Sequence, residues 1–313
     1  MCICIAIDGR AANPKFKGIM RKPSRTSLRP ASAKPAAPSP VRTERADAGA
    51  AVAEKKRSSL FVGSTEKAFQ VLHAFDGPLR FMTLADIARA SGLDRSAAQR
   101  LVHTLETLGY IRRVPDTRNY ALTSKVLQFS YSYIRANELI DKASPYLLDI
   151  SRRLGETTNL HELDGPEVVF VARFPGQHMN NIDIVVGSRL PTFFTSSGTA
   201  MLSQLSEEEQ REILARTNLS PRTPFTVTDP EALLARVRQA GERGYAMIVN
   251  ETVMGDISIS APITDEHGRP VAGINISVPT SRWTPERAEA ELAQEIQVAA
   301  TSISKPKLTR VSS

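Results

Sequence analysis

The 313-residue chain carries 40 Lys and Arg against 33 Asp and Glu, and its only cysteines are Cys2 and Cys4. No run of about 18 apolar residues occurs, so no membrane-spanning helix is expected, and two cysteines so close together cannot staple a core. The net charge of +7 divides unevenly, with +9 on residues 1–58 and −8 on residues 143–303, which points to a polyanionic partner for one end only.

Residues 1–58 are rich in Pro, Ala, Ser and Arg and lack periodic apolar positions; a disordered basic tail is expected there. The apolar stretch 2–7 is too short for a signal-peptide core, so a cytoplasmic protein is expected. Residues 59–123 form the next unit. Ser64 is placed to cap a first helix, with Ala68, Val71, Leu72 and Phe75 at helical spacing. Thr83 caps a short helix over 84–90, and Asp86 stands where a capping box needs its acid. After the turn at Ser91, Gly92 and Leu93, Asp94 caps a third helix that runs to about residue 108, where Gly109 stops it. Strands over 110–114 and 119–122 flank a turn at 116–118. The order helix, helix, turn, helix, hairpin is that of a winged helix-turn-helix.

The third helix carries the sharpest chemistry. At about 100° per residue, Leu101, Leu105 and Leu108 share one arc, and Arg95, Ser96, Gln99, Arg100 and His103 share the opposite one. The first arc docks on neighbouring helices. The second presents side chains able to reach phosphates and base edges in a major groove. An ordinary solvated face would look similar, but the capped helix and turn before it complete a DNA-docking unit. Thr83 and Asp94 join the candidate DNA-binding set. The hairpin adds Arg112, Arg113, Arg118 and Asn119, placed to touch backbone phosphates or the minor groove.

Residues 124–142 read as one linker helix ending before Pro145, which opens a second helix over 145–154. Residues 143–303 then mix strands and helices without strict alternation, an α+β domain. Strands are expected over 158–163, 168–173, 181–186, 245–249, 256–263 and 271–278. Helices are expected after Ser196, Ser197 and Gly198, over 206–215 and 229–243, and from Thr284 to about residue 302. Residues 304–313 are expected to be a second disordered tail. Within the sheet, Ser258 and Ser260 lie two apart, as do Asn275 and Ser277, so each pair faces one side. Half-buried filler would explain each residue singly. Together with free backbone donors at Ser197–Thr199, they suggest a polar pocket for a small anion. No catalytic motif, metal-ligand cluster or cofactor motif is found, and His161 reads as structural.

Several separated segments, 83–122, 186–202, 243–246 and 272–279, give the chain a family likeness. It resembles the IclR family of bacterial transcription regulators over about residues 62–303. The resemblance implies a winged helix-turn-helix, a dimerising linker helix and a GAF-like effector-binding domain with a mainly antiparallel sheet. It also implies dimers, or dimers of dimers, on palindromic double-stranded DNA operators. Carried over by motif, the effector pocket would use Ser196, Ser197 and Gly198, with Asp183 and Val185 from the strand before. Ile248, Ser258, Asn275 and Ser277 would come from the strands after. Ile248 stands where some members have an acidic residue and Asn275 where many have serine, so the ligand is expected to differ from a very small oxoacid. The segment 173–197 looks most like relatives that control aromatic-acid breakdown, and a small carboxylate effector, aromatic in kind, is expected. The competing readings are a DNA-binding regulator whose C-terminal domain only assembles oligomers, and an enzyme acting on a small carboxylate.

Overall fold

A computed structural model describes residues 60–177 and 184–306. Asp183, the whole of the first expected tail and most of the second lie outside the described residues. The first unit comprises α1 (Gly63–His73), β1 (Met82–Thr83), α2 (Leu84–Ser91), α3 (Arg95–Thr107), β2 (Ile111–Arg113) and β3 (Asn119–Leu122). The expected caps are present at two helices. Thr83 and Asp86 form a reciprocal capping box at α2, and the Asp94 carboxylate accepts from the Ala97 amide at α3. Ser64 caps nothing. Val62 precedes α1 without a side-chain hydrogen bond, and Ser64 is already helical. Val71, Ile87, Val102, Leu105, Ile111 and Tyr120 bury a common core. The docking line of α3 is Ala98, Val102 and Leu105, whereas Leu108 is 51% exposed. Leu108 keeps the helical conformation at the C-cap, and at about 100° per residue it lies well round the helix from that line. The strand β1, unseen in the sequence because it is two residues long, pairs Met82 with Tyr120 and extends the hairpin to three strands.

The linker is not one helix. The structure has α4 (Leu127–Ala136) and α5 (Glu138–Leu154), with Asn137 extended between them. The Asn137 side-chain oxygen accepts from the Leu139 and Ile140 amides, so a new helix is capped where continuation was expected. Pro145 lies inside α5 instead of opening a helix. Proline removes one backbone hydrogen bond there, but Ile140, Ala143, Leu147 and Ile150 are buried at helical spacing on both sides of it. That continuous apolar face, packed in the large core, holds the helix through the proline.

The second unit is built on one antiparallel sheet of β4 (Thr157–Asp164), β5 (Glu167–Phe174), β6 (Arg189–Pro191), β7 (Ala246–Val249), β8 (Asp256–Thr264) and β9 (Pro270–Pro279), in spatial order β6-β5-β4-β9-β8-β7. Its helices are α5, α6 (Ser196–Leu202), α7 (Glu207–Arg216), α8 (Pro230–Arg243) and α9 (Pro285–Ile303). The strand expected over 181–186 is absent at residues 184–186; the edge strand forms later, at Arg189–Pro191, after a turn at Gly187.

Alternation divides the sheet into two unlike faces. Ile257, Ile259, Ala261, Ile274, Ile276 and Val278 pack with Leu147 of α5 and Leu292 and Ile296 of α9. The intervening residues of β8 and β9 face α6: Ser258 lies opposite Ser277, and Ser260 opposite Asn275. Two glycines let α6 sit this low. A Cβ on Gly273 would stand 3.1 Å from the Ser197 Cβ, and one on Gly198 would stand 2.0 Å from the Thr192 carbonyl oxygen.

Candidate DNA interface and ligand cavity

The outer face of α3 is a row of exposed side chains: Arg95, Ser96, Gln99, Arg100 and His103. Among the described residues, the Arg95, Gln99, Arg100 and His103 side chains make no hydrogen bond or ion pair, and neither do Arg112 and Arg118 on the hairpin. Helical side chains held by nothing internal are available to a duplex. Four other candidates have local work. Thr83 and Asp94 are consumed as caps, and the hydroxyl of Ser96 donates to Asp94 at 2.8 Å. The Asp94 carboxyl is held below its ordinary range by the Ala97 amide and the Ser96 hydroxyl. Arg113 donates to the Tyr120 hydroxyl at 2.9 Å and lies over its ring at 5.3 Å. These residues hold α2, α3 and the hairpin in shape. Asn119 is half-buried in β3.

Beneath α6 lies a cavity of about 70 Å³, several times the roughly 10–15 Å³ that one water needs. Ser196, Ser197, Ser258, Asn275 and Ser277 all line it. Three other expected residues do not. Val185 is 63% exposed, and its neighbour Ile184 lines the cavity in its place. Residues 184–186 are not in a strand and lead into the turn at Gly187, so the in–out alternation expected of a strand does not hold over 184–186. Ile248 is buried opposite Ser258 on the edge strand β7, outside the lining. Gly198 packs on Thr192. Nor is the helix start an open anion cradle. The Gly198 amide donates to the Thr195 hydroxyl and the Thr199 amide to the Thr195 carbonyl.

A chain of hydrogen bonds crosses four adjacent strands on this face. Arg173 Nη1 donates to Asn159 Oδ1 at 2.9 Å, and Asn159 Nδ2 donates to Asn275 Oδ1 at 2.6 Å. Asn275 Nδ2 then donates to the hydroxyl of Ser258, which bonds Ser196 Oγ at 2.6 Å. Ser197 Oγ lies 2.8 Å from His161 Nδ1, and His161 meets Phe170 edge-on. Burial pushes His161 down to about 3, so it is a neutral hydrogen-bonding group.

Sequence reasoning missed Arg173, Asp256 and Asn159 as cavity residues and took His161 as structural. Asp256 was within reach, since it lies two residues before Ser258 and therefore on the same face of β8. It accepts a hydrogen bond from Ser277, and burial pushes its carboxyl up to about 6, against the opposing influence of Ser277 and Arg173. Arg173 stands beside Asn159 in the pairing of β4 with β5, and no local signal in the sequence announced it.

Comparison with known proteins gives both halves of the chain a family. Residues 64–115 match the IclR helix-turn-helix domain, and residues 131–305 match the bacterial transcriptional regulator IclR C-terminal domain. The Pca regulon regulatory protein of Pseudomonas putida is 35% identical over 232 residues, covering 74% of this chain and 78% of that protein. A transcriptional regulator from Rhodococcus sp. RHA1 superposes with a TM-score of 0.67 at 32% identity, covering 78% of this chain and 97% of that one. An IclR homolog from Microbacterium hydrocarbonoxydans, solved in complex with 4-hydroxybenzoate, superposes with a TM-score of 0.63 at 26% identity, covering 77% and 97%.

Proposed function

Because the chain belongs to the IclR family of bacterial transcriptional regulators, we propose that it is a regulator whose grip on DNA is set by a small carboxylate, aromatic in kind, held beneath α6. The observation that carries this reading is the cavity itself, a polar wall of serines and amides enclosed by apolar side chains in the domain that does not contact DNA. Residues 59–123 then act as the reading head and residues 143–303 as the sensor. The relative solved with 4-hydroxybenzoate supports the aromatic choice. The protein works as a homodimer or a dimer of dimers on a palindromic operator, in the cytoplasm where the DNA lies. Self-association is supported by α4, which has no buried residue and exposes Leu127, Tyr131 and Tyr133.

Thermal melts of the full chain against benzoates, aliphatic hydroxy acids and oxoacids test the proposal. A true effector at 100 times its Kd stabilises the native state by about 2.7 kcal/mol and raises Tm by several degrees. It should also change the mobility shift of operator DNA taken from upstream of the gene. If no acid raises Tm while operator binding persists, the C-terminal domain only assembles oligomers.

A further inference from the structure

Nearly every polar group around the cavity is already satisfied by another. Ser196, Ser197, Ser258, Ser260, Asn159 and Asn275 bond among themselves or to His161. Glu156, 2% exposed, is engaged by Arg282 at 2.7 Å and by the Trp283 indole at 2.8 Å. Glu156 Oε2 takes no hydrogen bond among the described residues, but the charge of Glu156 is already met by Arg282. Two further groups retain capacity, and they carry opposite charge. Arg173 spends Nη1 on Asn159, but its Nη2 is buried and has no hydrogen-bond partner among the described residues. Asp256 accepts only from Ser277, and the part of it that stays accessible belongs to a side chain lining the cavity. The two charges influence each other yet form no ion pair among the described residues. A buried guanidinium donor without an acceptor is costly, and such exceptions mark a place prepared for something else.

We infer that Arg173 and Asp256 are the two poles of the effector site: a ligand carboxylate docks on Arg173 Nη2, and a ligand hydroxyl donates to the Asp256 carboxylate. This rests on the proposed reading of the cavity as the effector site and deepens it by naming a ligand class. The ligand is a hydroxylated aromatic acid whose hydroxyl stands away from its carboxylate. Its body lies against the apolar walls supplied by Phe170, Ile184, Leu190 and Val278. A plain acid would leave Asp256 facing an apolar surface, and a plain phenol would leave Arg173 unpaired. Discrimination of this kind is steep because a buried polar group is left without a partner when the wrong ligand binds. The site expected from the sequence, the amides of Ser197–Thr199, is reduced as a carboxylate anchor, because Thr195 already takes two of its three amides, those of Gly198 and Thr199.

The test is calorimetry on the full chain with three probes: 4-hydroxybenzoate, benzoate and 4-hydroxybenzamide, which keeps the hydroxyl and loses the anion. The wild type should prefer 4-hydroxybenzoate to both others. Arg173→Gln should weaken the two acids roughly 10- to 100-fold, the worth of a charge-assisted hydrogen bond, and weaken the amide, whose neutral carbonyl oxygen is the poorer acceptor, distinctly less. Arg173→Lys, which keeps the charge but not the fork, should fall between. Asp256→Ala, which removes the acceptor oxygens, should erase the preference for 4-hydroxybenzoate over benzoate without weakening benzoate, and Asp256→Asn, which keeps one neutral acceptor, should fall between. A thermal melt and an operator mobility shift on each variant verify folding. If Arg173→Gln binds acids as tightly as wild type, or loses acids and amide equally, Arg173 is not the anchor. If Asp256→Ala keeps the hydroxyl preference, the second pole is wrong. If none of the three probes binds the folded wild type, the ligand class is wrong, while the broader effector reading stands or falls separately on the wider acid panel.

Discussion

Asp256 shows what burial does to a single carboxyl. Its carboxyl is raised to about 6 because burial disfavours the charged form, and the Ser277 hydroxyl and the Arg173 charge recover only part of that penalty. The other titratable groups that line the same cavity are Arg173, His161, which is neutral, and Glu156, which is engaged by Arg282 and Trp283. The folded protein therefore holds a proton on Asp256 more tightly than the unfolded chain does, and the ionised form destabilises the fold. That penalty is complete above about pH 6 and fades as pH falls toward the ordinary value of 3.8. Asp256→Asn, measured by denaturant unfolding without ligand, should be more stable than wild type by about 1–3 kcal/mol at pH 7.5. The gain should shrink to near zero by pH 4. Equal stability at both pH values would show that the carboxylate is not under stress. The residue scale thus pairs a liability for the fold with a capacity for a ligand, as sites often do.

At the scale of elements, α3 separates two jobs by angle. Ala98, Val102 and Leu105 are buried and fix the helix on its neighbours, and Arg95, Gln99, Arg100 and His103 face outward. The sequence showed the two arcs because helical spacing is a local property. It misplaced one edge, Leu108, because which line of a helix is centred on its neighbours is decided by packing and not by spacing. Arg95→Ala or Gln99→Ala should weaken binding to operator by about 1–3 kcal/mol if each makes a bidentate base contact, and should weaken binding to scrambled DNA less. Equal losses in mobility shifts on both DNAs would make these residues phosphate contacts. Asp94 and Thr83 belong to the same element pair but act differently. Their substitution by Ala should cost about 0.5–2 kcal/mol of stability through lost caps.

Across the whole molecule, the reading head and the sensor are joined by α4, and both of its ends are held. At the head, Tyr110 stacks on Phe129 at 5.8 Å, and Lys125 Nζ donates to the Leu108 carbonyl at 2.7 Å. At the sensor, Glu162 accepts from Asn137 Nδ2 at 2.7 Å and from the Tyr133 hydroxyl, which burial and Glu162 together push up to about 12 and so keep as a neutral donor. Glu162 follows His161, whose ring bonds Ser197 on the cavity wall, and the β4–β5 register shifts between Leu160 and His161. A ligand can act on DNA only by favouring one arrangement of the heads over another, and β4 is a short physical route from cavity to linker. Glu162→Ala should leave ligand affinity unchanged, because Glu162 does not line the cavity. It should reduce the ligand-induced change in operator affinity toward a ratio of one. An unaltered ratio, read from operator Kd with and without ligand, would mean that coupling runs elsewhere.

What the sequence determined by itself was local: the capped helices around a tight turn, the two arcs of α3, and the period-two polar positions of β8 and β9. Caps, helical faces and strand faces are set by neighbours within a few residues, so their signals survive in one dimension. The linker break was hidden because it depends on Glu162, a partner from β4 that holds Asn137. The helix through Pro145 was hidden because distant packing on the sheet and α9 outweighs a local breaker. Arg173 and Asp256 lie on β5 and β8, strands separated in the sheet by β4 and β9. Only the tertiary fold brings such residues to one cavity, because strand order, unlike strand periodicity, is decided by long-range pairing.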